Sequence, residues 1–105
     1  MQKNITVERS DTAKDAKATV LELTVNNHPG VMSHICGLFA RRAYNLEGIV
    51  CLPIGFGETS RMWLQVNEDV KLEQMIKQVE KLHDVLHVVR YDAGHRVFAG
   101  LEAFI

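Results

Sequence analysis

The chain has 105 residues, 47% of them hydrophobic, and a formal charge of −1 at pH 7. That length allows one domain with a modest core, and the near-neutral balance offers nothing to attract nucleic acid or an anionic membrane, so neither is expected as a partner. No apolar run nears the roughly 20 residues that span a bilayer, and the first residues lack the basic-then-apolar order of a secretory signal, which makes the cytoplasm the expected location.

Residues 1–17 mix both charge signs with Ser, Thr, Asn and Gln and show no sustained periodicity, so a flexible arm is expected there. The domain is expected to run over 18–91. Leu21, Leu23 and Val25 recur with period two and predict a first strand. The run breaks at Asn26-Asn27-His28-Pro29-Gly30, where Pro and Gly suit the opening of a helix. From Val31 to Tyr44, Met32, Ile35, Cys36, Phe39 and Ala43 share one helical face.

Leu46 to Ile54 is almost continuously apolar and leads into the turn Gly55-Phe56-Gly57, which predicts a second strand. Met62, Leu64 and Val66 then alternate with Arg61, Trp63 and Gln65 in a third strand, paired with the second as a hairpin. Asn67-Glu68-Asp69 precedes a stripe of Leu72, Met75, Ile76, Val79 and Leu82, a second helix. Val85 to Tyr91, rich in β-branched residues, makes a fourth strand. Residues 92–105 form a tail, in which Val97, Leu101, Phe104 and Ile105 fit one face of a short helix.

The order βαββαβ predicts an α+β, ferredoxin-like sandwich: an antiparallel four-stranded sheet with two helices on one face. The apolar second strand then lies at an edge and carries no lysine to discourage pairing, so a homodimer through the second strands is expected. Cys36 and Cys51 are not spaced as metal ligands and are expected to be reduced fillers. No nucleophile, base or paired-carboxylate pattern points to catalysis by this chain, and the five scattered histidines do not suit a metal.

The helix opening carries the chemistry. Without a Ser, Thr or Asp cap its first N–H groups stay free, and Gly30 has no Cβ to hold an anion away from them, which suits a carboxylate. The segments LTVNNHPGVM at 23–32, GLFARRAYNLEGI at 37–49 and CLPI at 51–54 together resemble an ACT domain. More narrowly they resemble the small regulatory subunits of acetohydroxyacid synthase (acetolactate synthase), of the short, valine-sensitive type, from about Ala18 to Tyr91.

The resemblance implies a chain without catalytic residues that binds a large subunit carrying thiamine diphosphate, magnesium and FAD. It implies no cofactor in this chain, activation of that subunit, and feedback inhibition by branched-chain amino acids, chiefly valine. The effector would sit between two ACT domains, touched by Asn27, His28, Pro29, Gly30 and Val31 of one copy and by Asn45 and Ile49 of its mate. The Gly30 and Val31 amides would hold its carboxylate, and the amides of Asn27 and Asn45 would orient the zwitterion. Val31 and Ile49 would line an apolar pocket.

Trp63 and Arg61 must point away from the helices if Met62, Leu64 and Val66 face them. They are candidates for contact with the large subunit, since Trp and Arg often anchor interfaces, although the tail folding over the sheet would also account for the Trp. With 14 residues after Tyr91, no second domain like that of longer family members is expected. The same fold admits an alternative function, an amino-acid sensor that regulates a different enzyme.

Overall fold

The computed structural model describes residues 5–8 and 18–105. Its elements are β1 (Ile5–Glu8), β2 (Ala18–Asn26), α1 (Val31–Arg41), β3 (Leu46–Ile54), β4 (Thr59–Asn67), α2 (Leu72–Glu80), β5 (Val85–Tyr91) and α3 (Arg96–Leu101), followed by a 3-10 turn over Glu102–Phe104. From β2 to β5 this is the expected βαββαβ order. The strands lie side by side as β1-β5-β2-β4-β3, so the four expected strands make the antiparallel sheet of the ferredoxin-like fold.

Alternation builds the core. Leu21, Leu23 and Val25 on β2 and Met62, Leu64 and Val66 on β4 point to one face and are fully buried. Ile35 and Phe39 of α1 and Leu72, Met75, Ile76 and Val79 of α2 pack on that face. The α1 stripe is rotated from the expected one: Val31 and Leu38 are buried, whereas Met32 is 44% exposed. Val31, Leu38 and Met32 all lie three or four residues from Ile35, so spacing alone did not separate them.

The helix also ends three residues earlier than its apolar pattern suggests. Ala43 takes φ 55, its N–H donates to the Ala40 carbonyl at 3.0 Å, and the Tyr44 N–H donates to the Phe39 carbonyl at 2.9 Å. This is a Schellman stop, completed by the edge-on contact of Tyr44 with Phe39 at 6.0 Å. Tyr44 leaves the helix to bury its ring, and its hydroxyl donates to the Asn67 carbonyl at 2.6 Å.

Two features of the ends differ from expectation. Within the segment expected to be a flexible arm, Ile5–Glu8 forms a fifth strand, parallel to β5, with Ile5 opposite Val88. The rest of residues 1–17 lies outside the described residues. In the tail, Phe98 is the residue buried against the second face of the sheet, while Leu101, Phe104 and Ile105 of the expected stripe stay exposed. Gly48 makes room for it: a Cβ there would lie 2.9 Å from the Phe98 ring.

Candidate functional site

The loop between β2 and α1 is tied down on both sides. The Asn27 N–H donates to the Glu58 carbonyl at 3.0 Å and its side-chain amide donates to the Gly57 carbonyl at 2.7 Å, fastening it to the β3–β4 turn. On the other side the Asn26 N–H donates to the Asp84 carbonyl at 2.9 Å and its side chain to Asp84 Oδ1 at 3.2 Å. His28 Nε2 lies 2.8 Å from Asp84 Oδ2 and its Nδ1 lies 2.7 Å from the Pro29 carbonyl.

Gly30 is the N-cap of α1 at φ 92, a conformation that L side chains resist, and no side chain caps the helix. Nothing stands within 4 Å of where its Cβ would be, so backbone conformation, rather than close packing, calls for glycine here. The Val31 N–H makes a long bond to the His28 carbonyl at 3.3 Å, and the amides of Met32 and Ser33 meet no backbone acceptor among the described residues. A row of under-used N–H groups at the positive end of a helix results, open to solvent and suited to a carboxylate.

The expected site residues fall into two groups. Asn27, His28, Pro29 and Gly30 are exposed together on the loop, whereas the Val31 side chain turns into the core, so Val31 presents its backbone there. Asn45 and Ile49 lie elsewhere. Residue 26 is opposite Thr59 at one end of β4 and Leu46 is opposite Val66 at the other, a separation of about 23 Å at the usual rise along a strand. Asn45 is exposed and donates to Glu47 Oε2 at 2.6 Å. Ile49, 40% exposed, shares the helix-facing side of the sheet with Leu64.

Asp84 and Asn26 are the loop's anchors that sequence patterning missed. Asn26 is the last residue of β2 and Asp84 directly precedes β5, places where turns and surface are the ordinary explanation for a polar residue, and only the tertiary fold brings 84 beside 26 and 28. The Pro29 carbonyl first, and then Asp84, raise the pKa of His28 above the ordinary 6.5, with burial opposing them. His28 in turn holds the Asp84 carboxyl below its ordinary 3.8. Burial pushes the Cys51 thiol up, which disfavours its thiolate form.

Trp63 and Arg61 do point to the sheet's second face. Trp63 is half-buried, donates to Glu22 Oε2 at 2.8 Å and stands beside His95, ring centres 6.1 Å apart. His95 Nδ1 accepts from the Val97 N–H at 3.0 Å and so caps α3. Arg61 reaches Thr24 Oγ1 at 3.4 Å, and its Nε is buried without a partner among the described residues. Among those residues no helix is long and apolar enough to cross a membrane, and no group of three or more His, Cys, Asp or Glu side chains is placed to hold a metal ion.

Comparison with known proteins decides among the many roles this fold supports. The profile described as the AHAS small subunit-like ACT domain matches residues 21–87. The chain belongs to that family of acetolactate synthase small subunits. It is 56% identical over 85 residues to the acetolactate synthase isozyme 1 small subunit of Escherichia coli K12, covering 81% of this chain and 88% of that one. It is 37% identical over 82 residues to the small subunit of Mycobacterium bovis, covering 77% of this chain but only 49% of that longer protein. The crystal structure of the Thermotoga maritima small subunit superimposes with a TM-score of 0.62 at 36% identity, over 69% of this chain and 45% of that one. Membership places this ACT-domain chain on the regulatory side of the enzyme, with catalysis in the large subunit.

Proposed function

We propose that two copies of this chain pair through β3, hold valine at the junction, and thereby activate the catalytic subunit of acetolactate synthase and make it sensitive to feedback inhibition. The observation that carries this is the division of the site. One copy holds its loop amides and its Asn45 at opposite ends of the sheet, so a single copy offers an incomplete pocket. Antiparallel pairing of β3 with β3 across a twofold axis carries the Asn45–Ile49 end of one copy toward the loop of the other.

Among the described residues the sheet is bounded by β1 on one side and β3 on the other, and the four-residue β1 offers a short edge whereas β3 presents nine residues. The β3 edge carries exposed Ile49 and Leu52 and no lysine. At the junction the valine carboxylate accepts from the amides at the start of α1. The Asn27 side-chain oxygen stays available for the ammonium, because the amide nitrogen is the atom used on Gly57. Exposed Met32 and Ile49 supply apolar surface for the isopropyl group.

Thiamine diphosphate, magnesium and FAD belong to the large subunit in this account, which is set in the cytoplasm; Trp63 and Arg61 on the second face remain its proposed contact. Calorimetry of the full chain with valine, leucine, isoleucine, serine and phenylalanine tests the proposal. Heat with the branched aliphatic amino acids, valine above all, is expected. Silence with all five, or preference for phenylalanine, contradicts it and favours a sensor for another enzyme.

A further inference from the structure

We infer that Asp84 is a positioning residue for the effector loop: through its pair with His28 it sets the direction of the Gly30 amide, and effector affinity falls when the imidazole loses its proton. This rests on the valine site proposed above and adds a residue outside it.

The geometry around His28 is specific. Nδ1 faces the Pro29 carbonyl at 2.7 Å and Nε2 faces Asp84 Oδ2 at 2.8 Å. A carbonyl and an ionised carboxylate both only accept, so both ring nitrogens must donate, which only the imidazolium does. A neutral ring has one N–H and must release one partner. The Pro29 carbonyl matters most, because it shares a rigid peptide plane with the Gly30 N–H. Holding that oxygen fixes where the first amide of the site points, and Asp84 holds the ring that holds it.

Other charges act on the pair. Asp84, its side chain 17% exposed against 43% for His28, also receives Asn26, and neighbouring His83 favours its charged form. From the β3–β4 turn, Glu58 contributes the carbonyl that receives Asn27, with its side chain exposed. The signs then follow. His28 is raised above 6.5, so the pair is complete below that value and is lost as pH rises through the raised one. Asp84 is lowered below 3.8, so its share is present above that value and is lost only as pH falls through the lowered one.

An imidazolium beside a helix N-terminus is disfavoured by the dipole, and a bound carboxylate relieves it. Effector and proton therefore help each other to bind, in both directions.

The test follows the His28 ring by NMR in the full chain, its signal assigned with His28→Gln, while calorimetry measures valine affinity from about pH 6 to about pH 8.5. His28 is expected to titrate above 6.5, to move down in Asp84→Asn, to move up with saturating valine, and to recover in part in Asp84→Glu. Valine affinity is expected to fall about fivefold or more across that titration, and Asp84→Asn is expected to flatten the profile. A His28 that titrates at or below 6.5, or ignores Asp84→Asn, overturns the inference even where valine binds well. So does a pH-independent valine affinity in the unmodified chain. Absence of valine heat at every pH overturns both this inference and the proposed function.

Discussion

Replacing Gly30 by alanine separates what the backbone needs at the helix opening from what the ligand needs. At φ 92 an added Cβ meets no neighbour within 4 Å, so the cost is conformational. A left-handed conformation costs an L-residue about 1–2 kcal/mol, and the stiffer unfolded chain returns about 0.4–1 kcal/mol. The net is a loss of about 1 kcal/mol, or about 4–8 °C in Tm for a domain of this size. Urea unfolding reads it, with the variant and the unmodified chain at equal concentration because association is coupled to stability. Gly30→Asp carries a similar backbone cost but sets a carboxylate at the start of α1, where the proposed effector places its own. Calorimetry is therefore expected to show valine binding kept, somewhat weakened, in Gly30→Ala and lost in Gly30→Asp. An alanine variant as stable as the unmodified chain refutes the conformational argument. Equal valine binding by the two variants refutes the site.

Ala43→Gly is expected to raise stability by about 0.5–1 kcal/mol, since Ala43 holds φ 55 at the end of α1 and glycine removes that strain at some cost in chain entropy; urea unfolding measures it. Gly48→Ala places a Cβ 2.9 Å from the Phe98 ring, so limited proteolysis should find the segment after Tyr91 cut faster, with the core little changed. Leu52→Lys charges the exposed edge strand, and sedimentation is expected to show less of the proposed β3-paired dimer and more single copies.

The order of the elements was legible because strong local signals agreed. The apolar run 46–54 and the β-branched run 85–91 became β3 and β5 with those bounds, and alternation on β2 and β4 named the buried face. What escaped was set by contacts distant in sequence. Ile5–Glu8 has two apolar residues in four and becomes a strand by lying along β5. On α1, two stripes satisfied the same spacing, and the sheet selected the one with Val31 and Leu38.

The site divided in the same way. The loop 26–30 stood out because Pro and Gly mark a helix opening by their own chemistry. Asp84 carried no mark, since a lone acid before a strand reads as surface until the fold brings it to His28. Phe98 was passed over for a stripe that proved exposed, because the feature that receives it is Gly48, whose missing side chain leaves room for the ring.

The central claim is that valine lies between two copies, held by the start of α1 in one and by the Asn45 end of β3 in the other. A crystal structure of the full chain grown in saturating valine tests it most directly. The account predicts β3 paired with β3 in one continuous sheet, with the valine carboxylate on the amides following Pro29 and Asn45 of the second copy in contact with the ligand. An empty junction, or valine bound elsewhere on the chain, would contradict it.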